Sequence, residues 1–269
     1  MTEERAQSTD FPLLQSWRIQ RRVIGALFLR EVITRYGRNN IGFLWLFVEP
    51  MLFTLGITAL WTALKSYHGS SLPIAAFALT GYSAVLLWRN MPSRCIGAIR
   101  PNFTLLHHRY VKIIDIFISR VLLEAMGATI SFVVLSLFFI AIGWIDMPED
   151  ALKIAIAWIL LAWFGASLAL LLGALSEQSE LVDKFWHPFA YLMFPLSGAA
   201  FSVDALPPAT REMALWIPMV NGVELLREGY FGSQYQAHYS ITYLFVVCLS
   251  LSFLALFFIR MAGRELNQE

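Results

Sequence analysis

Charge is what this sequence has least of. Only 14% of its 269 residues are charged, against 58% hydrophobic, and its mean hydropathy is +0.60. A water-soluble domain has about 25% charged and about 45–50% apolar residues, so the shortage excludes a soluble globular chain and leaves a polytopic membrane protein. The net charge of +1 excludes a global field, so only local asymmetry of charge can orient or recruit. Cysteine is nearly absent. Cys95 and Cys248 lie in different segments and match no metal or disulfide spacing. A basic n-region is missing, because Glu3, Glu4 and Asp10 interrupt the start and the first apolar run comes late, which argues against a cleavable signal peptide. The phosphate-cradling pattern GxxxxGK[ST] is missing too. Its nearest approach, Gly37 to Gly42, is followed by Phe43 where lysine is needed, so no ATPase is visible in the chain. His107 and His108 are adjacent and cannot both face one helical metal site. Ser, Cys and His are scattered without a nucleophile signature, and no acid, base or metal cluster supports a membrane-embedded enzyme. No internal repeat is evident, which counts against a secondary transporter built from matching interrupted halves.

What is present is organised around Arg30 to Pro50. Arg30, Arg35 and Arg38, with Arg22 upstream, make a basic run. Gly37 permits a turn, Asn39 and Asn40 offer caps, and the chain turns apolar from Ile41. Upstream, Leu13, Trp17, Ile24, Leu27 and Phe28 recur at roughly helical spacing opposite an arginine-rich face. This reads as an amphipathic helix on the membrane surface, and a soluble surface helix would have no soluble core to cover. Dense positive charge marks this side as cytoplasmic.

The expected fold is all-α and polytopic: six transmembrane helices, an N-terminal interface helix, and re-entrant periplasmic helices between spans 5 and 6. Residues 1–40 form the cytoplasmic start, 41–262 the transmembrane domain and 263–269 a cytoplasmic tail. The spans are read at 41–64, 72–88, 121–145, 153–175, 185–201 and 241–259. The first would rise about 36 Å, enough for a hydrocarbon core of about 30 Å. Residues 113–145 would rise about 50 Å, so 113–120 is read as an interfacial approach. The fifth span is irregular, with Pro188, Pro195 and Gly198. The segment 202–240 holds Pro207–Pro208 and two short helices around 210–216 and 223–230. With this topology 15 Lys and Arg lie inside and 4 outside, Arg120 at the boundary left aside, which puts both termini in the cytoplasm.

Ionisable groups at membrane depth are functional candidates. Glu49 lies about 12 Å past Ile41 and Arg120 about 10 Å past Ile113, so the two could meet. An i, i+4 pair of Arg120 with Glu124 competes, as does snorkelling. Aromatics crowd the fifth span: Phe185, Trp186, Phe189, Tyr191, Phe194 and Phe201. Flat rings can line a path for sugars, or they form an ordinary interfacial belt. Arg38, Arg89 and Arg94 at the inner ends of spans 1 and 2, beside Trp88, could hold an acidic lipid phosphate or an anionic sugar, or simply attract anionic lipid.

Three segments resemble the ABC-2 type permeases that export polysaccharides, especially capsular polysaccharide. Arg35, Tyr36, Gly37, Gly42, Trp45, Glu49 and Pro50 match a basic turn followed by an LGxxWxxxEP-like span, with Phe43 a small departure. Asn102 to Arg120 looks like the cytoplasmic coupling region, and Asn221 to Gly232 like an outer NPxxxxxExxRxxxFG segment, with Gly222 where proline is common. The resemblance implies a half-transporter. Two copies would form the pathway, and two separate subunits would supply ATP and Mg, with no cofactor in this chain. A periplasmic co-polymerase, an outer-membrane channel and a lipid-linked glycan would complete the system. It further implies substrate contacts at Arg38, Trp45, Trp88, Arg89, Arg94, Trp186, Phe189 and Tyr191. Coupling would fall to Asn102, Leu105, Leu106, Arg109 and Val111, intramembrane charge to Glu49, Arg120 and Glu124, and a periplasmic gate to Trp216, Asn221, Glu224, Arg227 and Tyr230. Export of another glycan, such as O-antigen or teichoic acid, or of a small amphipathic molecule is the alternative.

Overall fold

The computed structural model describes residues 13–37, 40–64, 72–106 and 110–265. Among them there are ten α-helices, three short 3-10 turns and no strand. Arg38, Asn39, the connection 65–71, His107, His108 and Arg109 lie outside the described residues.

Helix α1 (Leu13–Tyr36) ends as its sequence requires. Gly37 takes φ 74° and its N–H closes on the Ile33 carbonyl at 2.9 Å, a left-handed stop that a side chain would strain. Helix α2 (Asn40–Leu64) follows, then α3 (Ile74–Cys95) and the four-residue α4 (Phe103–Leu106). Helix α3 runs seven residues beyond the expected end of span 2. Arg89, Asn90 and Arg94 are polar but helix-compatible, and the chain breaks only past Cys95, where Gly97 takes φ 63°.

Among the described residues three helices are long and apolar enough to cross a membrane: α5 (Ile113–Ala141), α6 (Ala151–Gln178) and the 241–264 part of α10 (Ile241–Glu265), with mean hydropathies of 2.1, 2.3 and 2.4. The expected break at Val121 does not occur. Helix α5 is continuous from Ile113, with Lys112 and Asp115 bonding reciprocally at its start, and it ends at Ala141 rather than Ile145. Helix α6 starts on Asp150, whose carboxylate accepts the Lys153 N–H at 3.0 Å. Helix α7 (Leu181–Leu196) has 16 residues, a rise of about 24 Å, which is short for a core of about 30 Å. An irregular stretch continues it past Gly198, at φ 82°.

Helices α8 (Pro208–Leu215) and α9 (Pro218–Phe231) complete the fold, each with proline in its first turn. Helix α9 is sunk into the body, packed on α3, α6 and α10, with twelve of its fourteen residues buried. Gly229 makes that seat possible. A Cβ there would stand 2.9 Å from the Ile154 backbone nitrogen, which cannot yield. The other glycine of consequence is Gly81 on α3, where a Cβ would stand 2.6 Å from the Ala199 carbonyl oxygen.

Helix α1 does not lie loosely beside this bundle. It packs on α5 and α2, burying Leu27 against them, while Trp17, Leu29 and Ile33 stay exposed. Its apolar residues therefore divide between protein and surroundings instead of forming one face.

Candidate functional site

Charge gathers at the end of the bundle where α1 docks. Glu31 of α1 receives Arg35 at 3.0 Å and Arg120 of α5 at 3.2 Å. Glu124 of α5 receives Arg94 of α3 at 3.2 Å and also Arg35. Arg120 further donates to the Arg94 carbonyl at 2.6 Å. Three arginines and two glutamates thus tie α1, α3 and α5 together. Gln20 with Asp115 and Arg30 with Asn102 extend the seam along α1. The expected meeting of Glu49 with Arg120 does not occur, nor does the intrahelical pair of Arg120 with Glu124. Arg120 points to α1, and Glu49 is exposed. The Glu31–Arg35 pair was legible from its i, i+4 spacing. The α5 partners of α1 lie some ninety residues away and leave no local signal.

Beside this network lies a polar cavity of about 120 Å³, lined by Glu49, Pro50, Phe53, Leu86, Arg89, Asn90, Arg94 and Glu124. Arg89 stands over two rings of α7, 5.5 Å from the Tyr191 centroid and 5.8 Å from that of Phe194. The cavity joins the guanidiniums of Arg89 and Arg94, the carboxylates of Glu49 and Glu124 and the ring of Phe53, with the Tyr191 and Phe194 rings beside Arg89.

The other aromatic candidates divide. Trp45, Phe189 and Tyr191 are exposed on α2 and α7. Trp88 is a core residue, packed edge-on to Phe164, and Trp186 is buried with its indole N–H on Ser93 at 2.9 Å. Trp88 is closed off from a passing substrate in this conformation, whereas Trp186 keeps an edge on the apolar space between α6 and α7. Bulk and flatness gave them the same sequence signature as the exposed rings. Phe185 and Phe189 border an apolar groove of about 430 Å³ between α6 and α7. Sequence reasoning missed Phe53, Trp61 and Tyr82, which meet Phe194 in one cluster at centroid distances of 5.1–6.4 Å. Phe53 and Trp61 come from α2 and Tyr82 from α3, and nothing in the sequence links them to Phe194 on α7.

Of the coupling candidates, Asn102 is buried on Arg30, and Leu105, Leu106 and Val111 are half-buried against the core. The residue that α4 presents outward is Phe103.

The opposite end holds the gate candidates, and most are not pathway-facing. Asn221, Glu224, Arg227 and Tyr230 are buried in α9. Glu224 and Arg227 lie in a buried arrangement in which each has its own partners. Glu224 accepts the N–H groups of Val203 and His238 and the Tyr235 hydroxyl. Arg227 donates to the Phe201 and Ala199 carbonyls. Asn221 bridges the Leu215 carbonyl and the Ser240 N–H, and the Tyr230 hydroxyl donates to the Asp146 carbonyl. Only Trp216 is open, at 75% exposure, beside Met213 at 70%. The periodicity of α9 could not reveal this, because all its faces are covered. Nearby, the Tyr239 hydroxyl and Lys153 hold the Glu228 carboxyl below the usual carboxylate range.

The sequence matches the profile of the ABC-2 type transporter over residues 22–231. It is 50% identical to the capsule polysaccharide export inner-membrane protein CtrC of Neisseria meningitidis over 219 residues, covering 81% of this chain and 83% of that one. It is 43% identical to the capsule polysaccharide export inner-membrane protein BexB of Haemophilus influenzae, covering 91% and 93% of the two chains. It is 28% identical to the polysialic acid transport protein KpsM of Escherichia coli, covering 88% and 92%. The three apolar helices, the charged seam and a profile match over most of its length agree: this chain belongs to the ABC-2 type transporter family.

Proposed function

We propose that this chain is the permease subunit of an ATP-binding cassette exporter that moves lipid-linked capsular polysaccharide across the inner membrane. The observation that carries the reading is the near full-length likeness to two proteins named for capsule polysaccharide export. Two copies form the pathway, and separate subunits bind ATP and Mg. A periplasmic co-polymerase and an outer-membrane channel receive the glycan. Six spans with both termini cytoplasmic follow from the distribution of 15 inner against 4 outer cations. On this reading the charged seam faces the cytoplasm. Arg89 and Arg94, with Arg38 before them, hold the anionic anchor of the glycan, while Tyr191 and Phe189 offer faces to its sugars. The place of Arg89 in the polar cavity supports that role.

The test is the triple variant Arg38→Gln, Arg89→Gln, Arg94→Gln in a strain lacking the native gene. Many other arginines remain, so insertion is expected to be unchanged while surface glycan falls by roughly tenfold or more, the loss expected for removing charge-assisted contacts. Wild-type glycan export by this variant would reduce these residues to membrane anchors. A gene deletion that leaves surface glycan intact would end the capsule reading itself.

We further propose that α8 and α9 re-enter the outer leaflet and close the pathway from the periplasmic side. Burial of α9 among α3, α6 and α10 supports re-entry, and the open Trp216 and Met213 make α8 the surface that meets the second copy. Single cysteines through 213–231, in a chain without Cys95 and Cys248, test this with a membrane-impermeant thiol reagent. Positions 213 and 216 are expected to react quickly and positions 221–230 slowly. Uniform fast labelling would instead describe a solvated cap.

A further inference from the structure

We propose that Glu224 and Arg227 together clamp the chain crossing from α7 to α8, and that Arg227 is the positioning residue for the α7 wall during transport. Helix α7 ends at Leu196 and α8 begins at Pro208, and the Ala199 and Phe201 carbonyls lie in the irregular stretch between them, ahead of a short 3-10 turn at Val203–Ala205. The Arg227 fork spans two of these, Phe201 at 2.7 Å through Nη1 and Ala199 at 2.8 Å through Nη2. One turn earlier Glu224 takes the Val203 N–H at 3.2 Å. Residues 199, 201 and 203 are thus held in succession by two ionisable side chains, both at 0% exposure. The Phe77 ring backs the guanidinium with its centroid 3.5 Å away. Gly81 leaves room for the crossing, since its Cβ would also stand 2.9 Å from Arg227 Nη2.

Helix α7 itself is thinly held. Only Trp186 and Ala190 of its sixteen residues are buried. A wall fixed firmly at one end and loosely along its length swings about the fixed end. Two buried ionisable side chains beneath a broken helix are a costly way to build a passive connector, because each must be stripped of water. A planar fork can bridge two fixed carbonyls, which a lysine ammonium cannot do with the same geometry. This inference rests on the exporter reading above, in which α7 lines the pathway.

The experiment uses the chain assembled with its ATP-binding subunits in lipid vesicles. A nitroxide is placed on Ala200→Cys, with Cys95→Ser and Cys248→Ser. Arg227→Lys keeps the charge and removes the fork. Gly81→Ala crowds the same carbonyl and the Arg227 Nη2 that holds it, while leaving both charged residues in place. Both variants are expected to accumulate in the membrane and to hydrolyse ATP. The nitroxide spectrum at 200 is expected to sharpen, and glycan export to fall roughly tenfold, the scale of one buried charge-assisted hydrogen bond. Export within twofold of the parent overturns the proposal whatever the spectrum shows. So does lost export with an unchanged spectrum, and so does failure of both variants to accumulate, which would leave only a folding role. Glycan export by the parent in the same vesicles tests the exporter reading separately, and the spectrum reads the clamp whatever the cargo.

Discussion

Glu124→Ala is expected to destabilise the folded chain by about 3–5 kcal/mol, because it removes one partner from a largely buried ion network and leaves the others facing each other. Glu124 is 8% exposed and serves both Arg35 and Arg94. Without it, Arg35 and Arg120 keep Glu31, and Arg94 loses its ion pair with α5. The Arg94 arm contributes least, since that side chain is 45% exposed and water screens it. Thermal unfolding in detergent, followed by size-exclusion elution, should show a clearly lower midpoint. A single variant that melts with the parent would mean that the seam is solvated and weak.

Phe103→Asp is expected to separate ATP hydrolysis from export. In the proposed assembly the segment from Arg94 to Lys112 docks on the ATP-binding subunit. Phe103 and Tyr110 are its exposed aromatics among the described residues, at 38% and 48% exposure, and Phe103 stands on α4. Exposed aromatics at the centre of protein contacts commonly contribute about 2 kcal/mol or more. Glycan export in vesicles should fall at least roughly tenfold while the ATP-binding subunit still hydrolyses ATP. Aspartates at Leu105 or Leu106 would be poorer probes. Those side chains pack against the core, and a carboxylate there would disturb local folding before it tested docking. Normal co-purification and normal export in Phe103→Asp would place the contact elsewhere.

The membrane class was legible because hydropathy is a sum over many residues and tolerates local error. The turn at Gly37 was legible because only glycine takes that backbone angle without strain. The start of α5 was misplaced because length, without a breaking residue, was used to divide an unbroken helix. Trp88 was misread as a wall residue because burial is decided by what arrives from other helices. For the same reason nothing local in the sequence showed that Glu224 and Arg227 are buried. Their partners are chiefly backbone groups, with the Tyr235 hydroxyl on Glu224, and a carbonyl left open by a helix break carries no residue letter. The family motifs were readable in order along the chain, but their side chains divide between packing, clamping and open surface in ways that spacing does not encode.

The docking of α1 also sets a timetable for synthesis. Arg35 reaches its α5 carboxylate across 89 residues of chain, and Gln20 reaches Asp115 across 95. At about 5–20 residues per second, the ribosome supplies those partners on the order of ten seconds after α1 has emerged. During that interval Glu31 and Arg35 have only each other from the five-residue network, and Leu27 lacks the helix that covers it. The nascent α1 therefore waits at the membrane surface, held by its arginines and Trp17, before it seats. Any slowing of translation between α3 and α5 lengthens the period in which this helix is free to pair with the wrong neighbour.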